Sequence, residues 1–372
     1  MEALRERISE AAHGATPLRI VGRGTWLDAG RAVAARETIT TLECTGIVDY
    51  VPDDLTLTAR AGTTLEEIRS ATTRHGQWLA LDPFGGAQGS LGATLATNSA
   101  GPLAGAFGHP RDLTLGVAFV TGAGVLARGG GRVVKNVAGF DLTRLMIGAW
   151  GTLGVIAEAT MRLHARPDAD VTISVPLEET PDEIERVRRL LRRLPFTPYA
   201  CEFVNASLAV SLLGRDDAVA LVRLGGNRES VRAQRAAFAE LGTANEADPA
   251  VWDSLATIEP PKAMVVRLSR LPSEIARTWR DASSIASACP GTLLHASPAR
   301  GVVRCIVPDG DGVAAMLRTR LAAMECTRIG ERLPPALWDA CGPTARDALS
   351  VGIRETFDPE HVLNPGIMGE LA

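Results

Sequence analysis

Three glycine-rich clusters hold the residues of this chain best suited to chemistry. They are Gly22-Arg23-Gly24-Thr25, the stretch Gly85 to Gly108, and Gly151-Thr152-Leu153-Gly154. Residues 1–165 contain 24 of the 37 glycines. Glycine loses more backbone freedom on folding than any other residue, so such density needs a reason, and close approach of backbone to a ligand is one. Successive backbone N–H groups in tight turns form concavities that bind anions. Val21 ends a short apolar strand, Leu18 to Val21, that runs into the first cluster, and Thr25 adds a hydroxyl. In the second cluster Gly89, Ser90, Gly92, Thr94, Thr97, Asn98, Ser99 and Gly101 interleave with apolar Leu91, Leu95 and Ala96. Apolar residues interleaved among these short donors argue against a merely flexible loop. No GxxxxGK[ST] occurs, which excludes a nucleotide P-loop. Gly122-Ala123-Gly124 lacks the third glycine and the helix of a GxGxxG fingerprint, and reads as a hairpin turn between strands 113–120 and 125–128.

The other reactive residue types are scattered. Six cysteines lie far apart with no CxxC pair, which argues against zinc and iron–sulfur sites and for reduced core thiols. His109, before Pro110-Arg111-Asp112, is the single histidine in a glycine cluster. His295 falls on an expected strand with no second ligand nearby, so it reads as structural and no metal is expected. Asp141 and Arg144 are three apart on an expected helix and can pair. Lys135 and Lys262 are the only lysines, and Lys135-Asn136 precedes that helix. Arg267, Arg270, Arg300 and Arg304 are candidate carboxylate clamps, among which the sequence does not choose.

These residues need elements to position them. The chain has 372 residues, 46% of them hydrophobic, and a formal net charge of −4. That suffices for two domains with their own cores and lacks the basic excess of a nucleic-acid binder. The N-terminal MEALRERISEAAHG carries charges where a signal peptide is apolar, which reads as cytoplasmic. The longest uncharged run, Pro83 to Pro110, holds seven glycines and three prolines and is no membrane span. Thr63 with Glu66 reads as a capping box opening a helix closed by Gly76. Asp141 caps a second helix carrying Leu142, Leu145 and Met146, which ends at Gly148 and leads into strand 155–163. After Arg166-Pro167 glycines thin out. Expected there are strands at 171–175, 201–213, 218–224, 263–269, 292–297 and 302–307. Helices are expected from the Thr180 cap to Pro195 and over 228–241, 272–288 and 311–324. Strand–helix–strand–strand units of this kind build an antiparallel sheet with helices on one face. The reading is α+β: residues 1–167 and 346–372 in one domain, 168–345 in a second with internal repetition of element order.

The motifs VGRGT (Val21 to Thr25), VPDDLTLTARAGTTLEEI (Val51 to Ile68), GSLGATLATNSAGP (Gly89 to Pro102), GAWGTLGVI (Gly148 to Ile156) and FDPEHVLNPG (Phe357 to Gly366) occur in that order. This set resembles the FAD-binding domain of the vanillyl-alcohol oxidase (PCMH-type) superfamily. Within it, GRVVKNVAGFDLTRLMIGAWGTLGVIAE (Gly131 to Glu158) is similar to FAD-binding subunits of bacterial glycolate oxidase complexes. The resemblance implies FAD held by Val21, Gly22, Arg23, Gly24 and Thr25, by the second cluster from Gly89 to Gly101, and by Arg111 and Asp112. It adds Gly151, Thr152, Gly154, Val155, Ile156 and, near the C-terminus, Asn364. With no histidine in the pyrophosphate turn, the flavin is expected to be non-covalent. The superfamily's hydroxy-acid enzymes often carry a GHxGDGNxH-like metal segment, and this chain has none. The resemblance therefore implies a subunit that takes part in oxidising glycolate to glyoxylate. Its partners would be a second flavin subunit carrying the hydroxy-acid site and an iron–sulfur subunit, with any membrane contact made through them. A structural partner without redox turnover and a stand-alone flavin dehydrogenase remain open.

Overall fold

The computed structural model describes residues 1–131 and 140–370. The chain divides into two compact units, Met1–Arg166 with Thr344–Ala372, and Pro167–Pro343.

The first unit is organised by a five-stranded antiparallel sheet in the order Ile47–Val51, Thr56–Arg60, Val155–Arg162, Thr114–Val120, Leu126–Gly130. The last two strands form the hairpin expected around Gly122 and Gly124. Helices Leu65–Thr73 and Leu91–Thr97 bury Leu65, Ile68, Leu91 and Leu95 against Leu57, Ala59 and Ile156. Apart from this sheet, Leu18–Val21 pairs in parallel with Glu37–Thr40 on one edge and bridges Leu363 on the other. The first helix cap lies one residue later than expected. Thr64 accepts from the Glu67 N–H at 3.0 Å and Glu67 Oε2 takes the Thr64 N–H at 2.7 Å, while Thr63 Oγ1 is engaged by the Gly46 N–H instead. Either threonine satisfies the spacing; the long-range contact at Gly46 decides between them. Thr64→Ala should cost about 1 kcal/mol of stability in urea denaturation, and a loss below 0.3 kcal/mol, on the same rough scale, would contradict the cap.

The second unit is one eight-stranded antiparallel sheet. From one edge to the centre run Asn245–Ala247, Ala169–Pro176, Val219–Gly226 and Ala200–Val204. From the other edge run Thr327–Arg332, Met264–Ser269, Val302–Val307 and Leu293–Ser297. Each half places its strands in the same sequence-order pattern, fourth, first, third, second, and the two second strands pair at the centre through Phe203–Ala296 and Val204–His295. The repeat is thus a pseudo-twofold arrangement. Helices Pro181–Arg193, Arg228–Ala237, Ile275–Ala288 and Val313–Ala322 cover one face, burying Ile184, Val187, Val231, Trp279, Ile285, Leu317 and Leu321 against the sheet.

The expected strand over 201–213 is corrected. Only Ala200–Val204 is extended, and Ala206–Leu213 is a helix. Asn205 explains the break: its Oδ1 accepts the N–H groups of Leu208 and Leu294, and its Nδ2 donates to the Thr292 carbonyl. The continuous apolar run ASLAVSLL hides helical periodicity, which is why it reads as strand. Among the described residues no helix is long and apolar enough to cross a membrane.

Candidate functional site

A cleft opens in the first unit where strand Leu18–Val21 gives way to the Gly22–Thr25 turn, with about 1020 Å³ of space between its walls, part of it open to solvent. Helix Leu91–Thr97 faces the turn closely. A Cβ built on Gly22 would stand 2.4 Å from Ser90 Oγ and 3.0 Å from Ala93 Cβ, so only glycine lets the two walls meet. Gly24 has φ +76°, a left-handed conformation that favours glycine. The third cluster is tied to the end of the helix, because the Gly148 N–H donates to the Leu95 carbonyl at 3.0 Å and the Trp150 N–H to Ala96 at 2.8 Å. Asn364 joins this wall to the strand: Oδ1 accepts the Ile20 N–H at 2.7 Å and Nδ2 donates to the Trp150 carbonyl at 2.7 Å.

Every position expected from the sequence lines this cleft except Leu91, Asn98, Gly101, Arg111, Asp112 and Thr152. Each exception has a local reason. Leu91 points into the apolar core. Asn98 ends its helix at φ +50°. Gly101 packs on Asp82, whose carbonyl oxygen would stand 2.2 Å from a Cβ there. Thr152 donates to the Ala149 carbonyl. Arg111 and Asp112 pair with each other on the exposed side of a short helix, where Asp112 also takes the His109 N–H. Gly92 lines the cleft, but its missing side chain faces Ala61, at 2.6 Å from Cβ to Cβ, and not the ligand space.

The hydroxyls divide by what they already do. Thr94 donates to the Ser90 carbonyl and Thr97 to Ala93, so their protons are spent on their own helix. Ser99 Oγ accepts the Phe84 N–H and keeps its proton. Ser90 Oγ is buried in the cleft wall with no hydrogen-bond partner, a costly state unless a ligand supplies one. Sequence reasoning overlooked the indoles. Trp26 and Trp150 both line the cleft, stacked with centroids 6.2 Å apart and planes 30° apart, beside Val33 and Ile367. The available signal was a tryptophan directly beside each of two glycine clusters, at Trp26 and Trp150. A diphosphate with a flat aromatic ring system fits these donors and walls.

The remaining candidates lie elsewhere. Arg144 pairs with Asp141 on an exposed helix surface, at 3.4 Å, and Asp141 caps that helix. Lys135 and Asn136 fall outside the described residues. In the second unit Arg304 is buried in register between His295 and Arg267 on the face away from the helices. It is paired with both Glu259 and Glu331, while Arg332 reaches Glu259 at 3.1 Å and Arg267 reaches Glu331 at 3.6 Å. Burial pushes the Glu331 carboxyl up, but Arg304 and Arg267 outweigh it and hold the group below its ordinary value. His295 Nδ1 meets Glu202 Oε2 at 2.8 Å, and donates to it when the carboxyl is ionised. Arg270 is held by Asp281 at 2.6 Å. These arginines are therefore engaged by the protein's own carboxylates. Among the described residues no group of three or more His, Cys, Asp and Glu is placed to hold a metal ion.

Residues 1–130 match the model of the FAD binding domain family. Over 230 residues the chain is 39% identical to glycolate oxidase subunit GlcE of Escherichia coli, covering 60% of this chain and 64% of that one. It is 30% identical over 190 residues to a D-lactate dehydrogenase of Archaeoglobus fulgidus, covering 51% of this chain and 42% of that one. It is 34% identical over 128 residues to glycolate oxidase subunit GlcD of Bacillus subtilis, covering 34% and 27%. The chain thus spans less than two thirds of each of these relatives. Among solved structures, an alkyldihydroxyacetonephosphate synthase superposes with a TM-score of 0.68 at 16% identity, covering 97% of this chain and 73% of the other, which shows a shared fold.

Proposed function

We propose that this chain is an FAD-binding oxidoreductase subunit of a complex that oxidises glycolate to glyoxylate, with the flavin held non-covalently in the cleft of the first unit. The observation that carries the reading is the cleft itself: glycine turns on two walls and a buried Ser90 hydroxyl without a protein partner. The backbone of Gly22–Thr25 and the hydroxyls of Ser90 and Ser99 would hold the diphosphate and polyol. Trp26, Trp150 and Val33 offer an apolar wall for a ring system. Bound FAD supplies a two-electron acceptor. The first unit is then the flavin domain and the second the cap.

The similarity to a GlcE subunit supports membership of such a complex, and the similarity to a GlcD subunit supports a related flavin chain as its partner. An iron–sulfur subunit would complete the electron path. The second unit supports a supporting rather than substrate-oxidising role, because Arg304 and Arg270, two of the arginines considered for a substrate carboxylate, already hold carboxylates. Removing a proton and hydride from a 2-hydroxy acid needs a base and a cation near the reacting carbon. One observation favours a stand-alone reading. The chain is 26% identical, over 96% of its own length, to a probable mitochondrial D-lactate dehydrogenase of Danio rerio.

Purified protein should be yellow, release FAD on acid or heat denaturation, and show tryptophan emission quenched by the flavin. The FAD-loaded chain alone should reduce dye slowly with glycolate or D-lactate and gain activity when partner subunits are added. Colourless protein that takes up no added FAD would sink the cofactor assignment. Rapid turnover by the lone chain would favour the stand-alone enzyme.

A further inference from the structure

A buried charge cluster near the C-terminus sits behind the cleft rather than in it. Arg354, on helix Ala348–Phe357, is 6% exposed and Asp358 is 0% exposed. The guanidinium donates to Asp358 Oδ2 at 3.2 Å, to the Leu363 carbonyl at 2.6 Å and to Glu370 Oε1 at 2.8 Å. Asp358 also accepts the N–H groups of Val362 and Leu363, at 3.0 and 2.9 Å. Glu370 accepts those of Gly366 and Met368, at 2.7 and 3.0 Å. Three charged side chains therefore close residues 358–370 into one defined loop. Charge-assisted bonds to several donors fix a carboxylate's orientation more tightly than any single contact.

That loop serves as a strand partner. The Leu18 N–H donates to the Val362 carbonyl at 2.7 Å and the Asn364 N–H to Leu18 at 2.9 Å. Strand Leu18–Val21 has only Glu37–Thr40 on its other side among the named strands. The position of the Gly22–Thr25 turn, at the end of a four-residue strand, thus depends on the loop. Within the loop Asn364, at φ +43°, reaches both Ile20 and Trp150, on two walls of the cleft.

We propose that Arg354 and Glu370 are positioning residues for the flavin. They hold the Asn364 turn, and the turn sets the spacing between the glycine turn and the Trp150 wall. Displacement at such a site weakens binding without removing any ligand contact. This inference rests on the flavin reading above. Glu370→Gln keeps the shape but leaves a single acceptor oxygen, so one of its N–H donors loses its partner.

The test is a double-variant cycle on FAD affinity, read by flavin fluorescence, with Glu370→Gln, Asn364→Ala and both together. Apo-protein circular dichroism and melting are followed in parallel. Each single change should weaken binding by roughly tenfold or more, by analogy with the scale seen for residues that orient the ligands of metal sites. The double variant should be no weaker than the worse single, because both act through one turn. Arg354→Lys, which keeps the charge but lacks the fork, is run through the same cycle in case Glu370→Gln does not fold. Folded variants that bind FAD within about twofold of the parent, inside the ~0.5 kcal/mol scatter of such cycles, would overturn the proposal. Effects that multiply in the double variant would also overturn it. If the parent chain binds no FAD, the flavin reading falls and this inference with it. If the parent binds and the variants match it, only this inference falls.

Discussion

Gly22→Val protein is expected to emerge from purification folded but without flavin. The substituted Cβ would stand 2.4 Å from Ser90 Oγ and 3.0 Å from Ala93 Cβ. The serine hydroxyl can rotate away, but the alanine methyl sits on helix Leu91–Thr97, which packs on the core. The turn or the helix must therefore shift, and the two walls of the cleft move apart. Overpacking of this kind costs about 1–3 kcal/mol. Concentrated on the site, the upper end of that range is roughly a hundredfold in affinity. The measurement is flavin absorbance per protein, with a titration of apo protein by FAD. Retention equal to the parent would show that the turn and helix do not clamp the ligand. Gly92→Val is a useful contrast. It meets Ala61, so its damage should appear first in the melting temperature of the apo protein.

Arg304→Ala should destabilise the second unit by about 3–5 kcal/mol, the scale for removing one partner of a buried ion pair. The loss arises because Glu259 and Glu331, both largely buried, would keep their charges without the guanidinium that compensates them. Arg332 and Arg267 remain near these carboxylates and limit the damage. Adding Glu259→Gln and Glu331→Gln should recover part of the loss, since the network is worth less than the cost of breaking it on one side. Urea denaturation followed by far-UV circular dichroism and by tryptophan emission reports the transition. A loss below about 1 kcal/mol would show the network to be hydrated like a surface pair.

Local chemistry was legible in the sequence wherever a residue acts through its neighbours in the chain. Asp141 and Thr180 cap their helices as the spacing predicts, because a cap needs only a side chain and an N–H three residues on. The Gly122–Gly124 hairpin followed from turn chemistry, and the repeated order of strands and helices followed from periodicity. The glycine clusters marked the cleft for the same reason: freedom from a Cβ is a property of the residue itself. Where several residues compete for one role, the sequence was silent. Thr63 and Thr64 both have an acidic residue three positions on, and only contact with Gly46 separates them. Ala206–Leu213 turned from strand to helix because Asn205 bonds across the sheet to Thr292 and Leu294.

Residue types and turn spacing marked glycine clusters where backbone can approach a ligand closely, in an α+β chain, and the resemblance of the motifs added the flavin. Tertiary structure decided which atoms face that ligand. Thr94, Thr97 and Thr152 spend their donors on local carbonyls three or four residues away, whereas packing against the Gly22 turn buries the Ser90 hydroxyl without a partner. Tertiary structure also decided that Arg304 is answered by Glu259 and Glu331, residues 45 and 27 positions away. The physical reason is the same in both cases. Backbone conformational preference is local, whereas the partner of a buried polar group is set by whichever element packs against it.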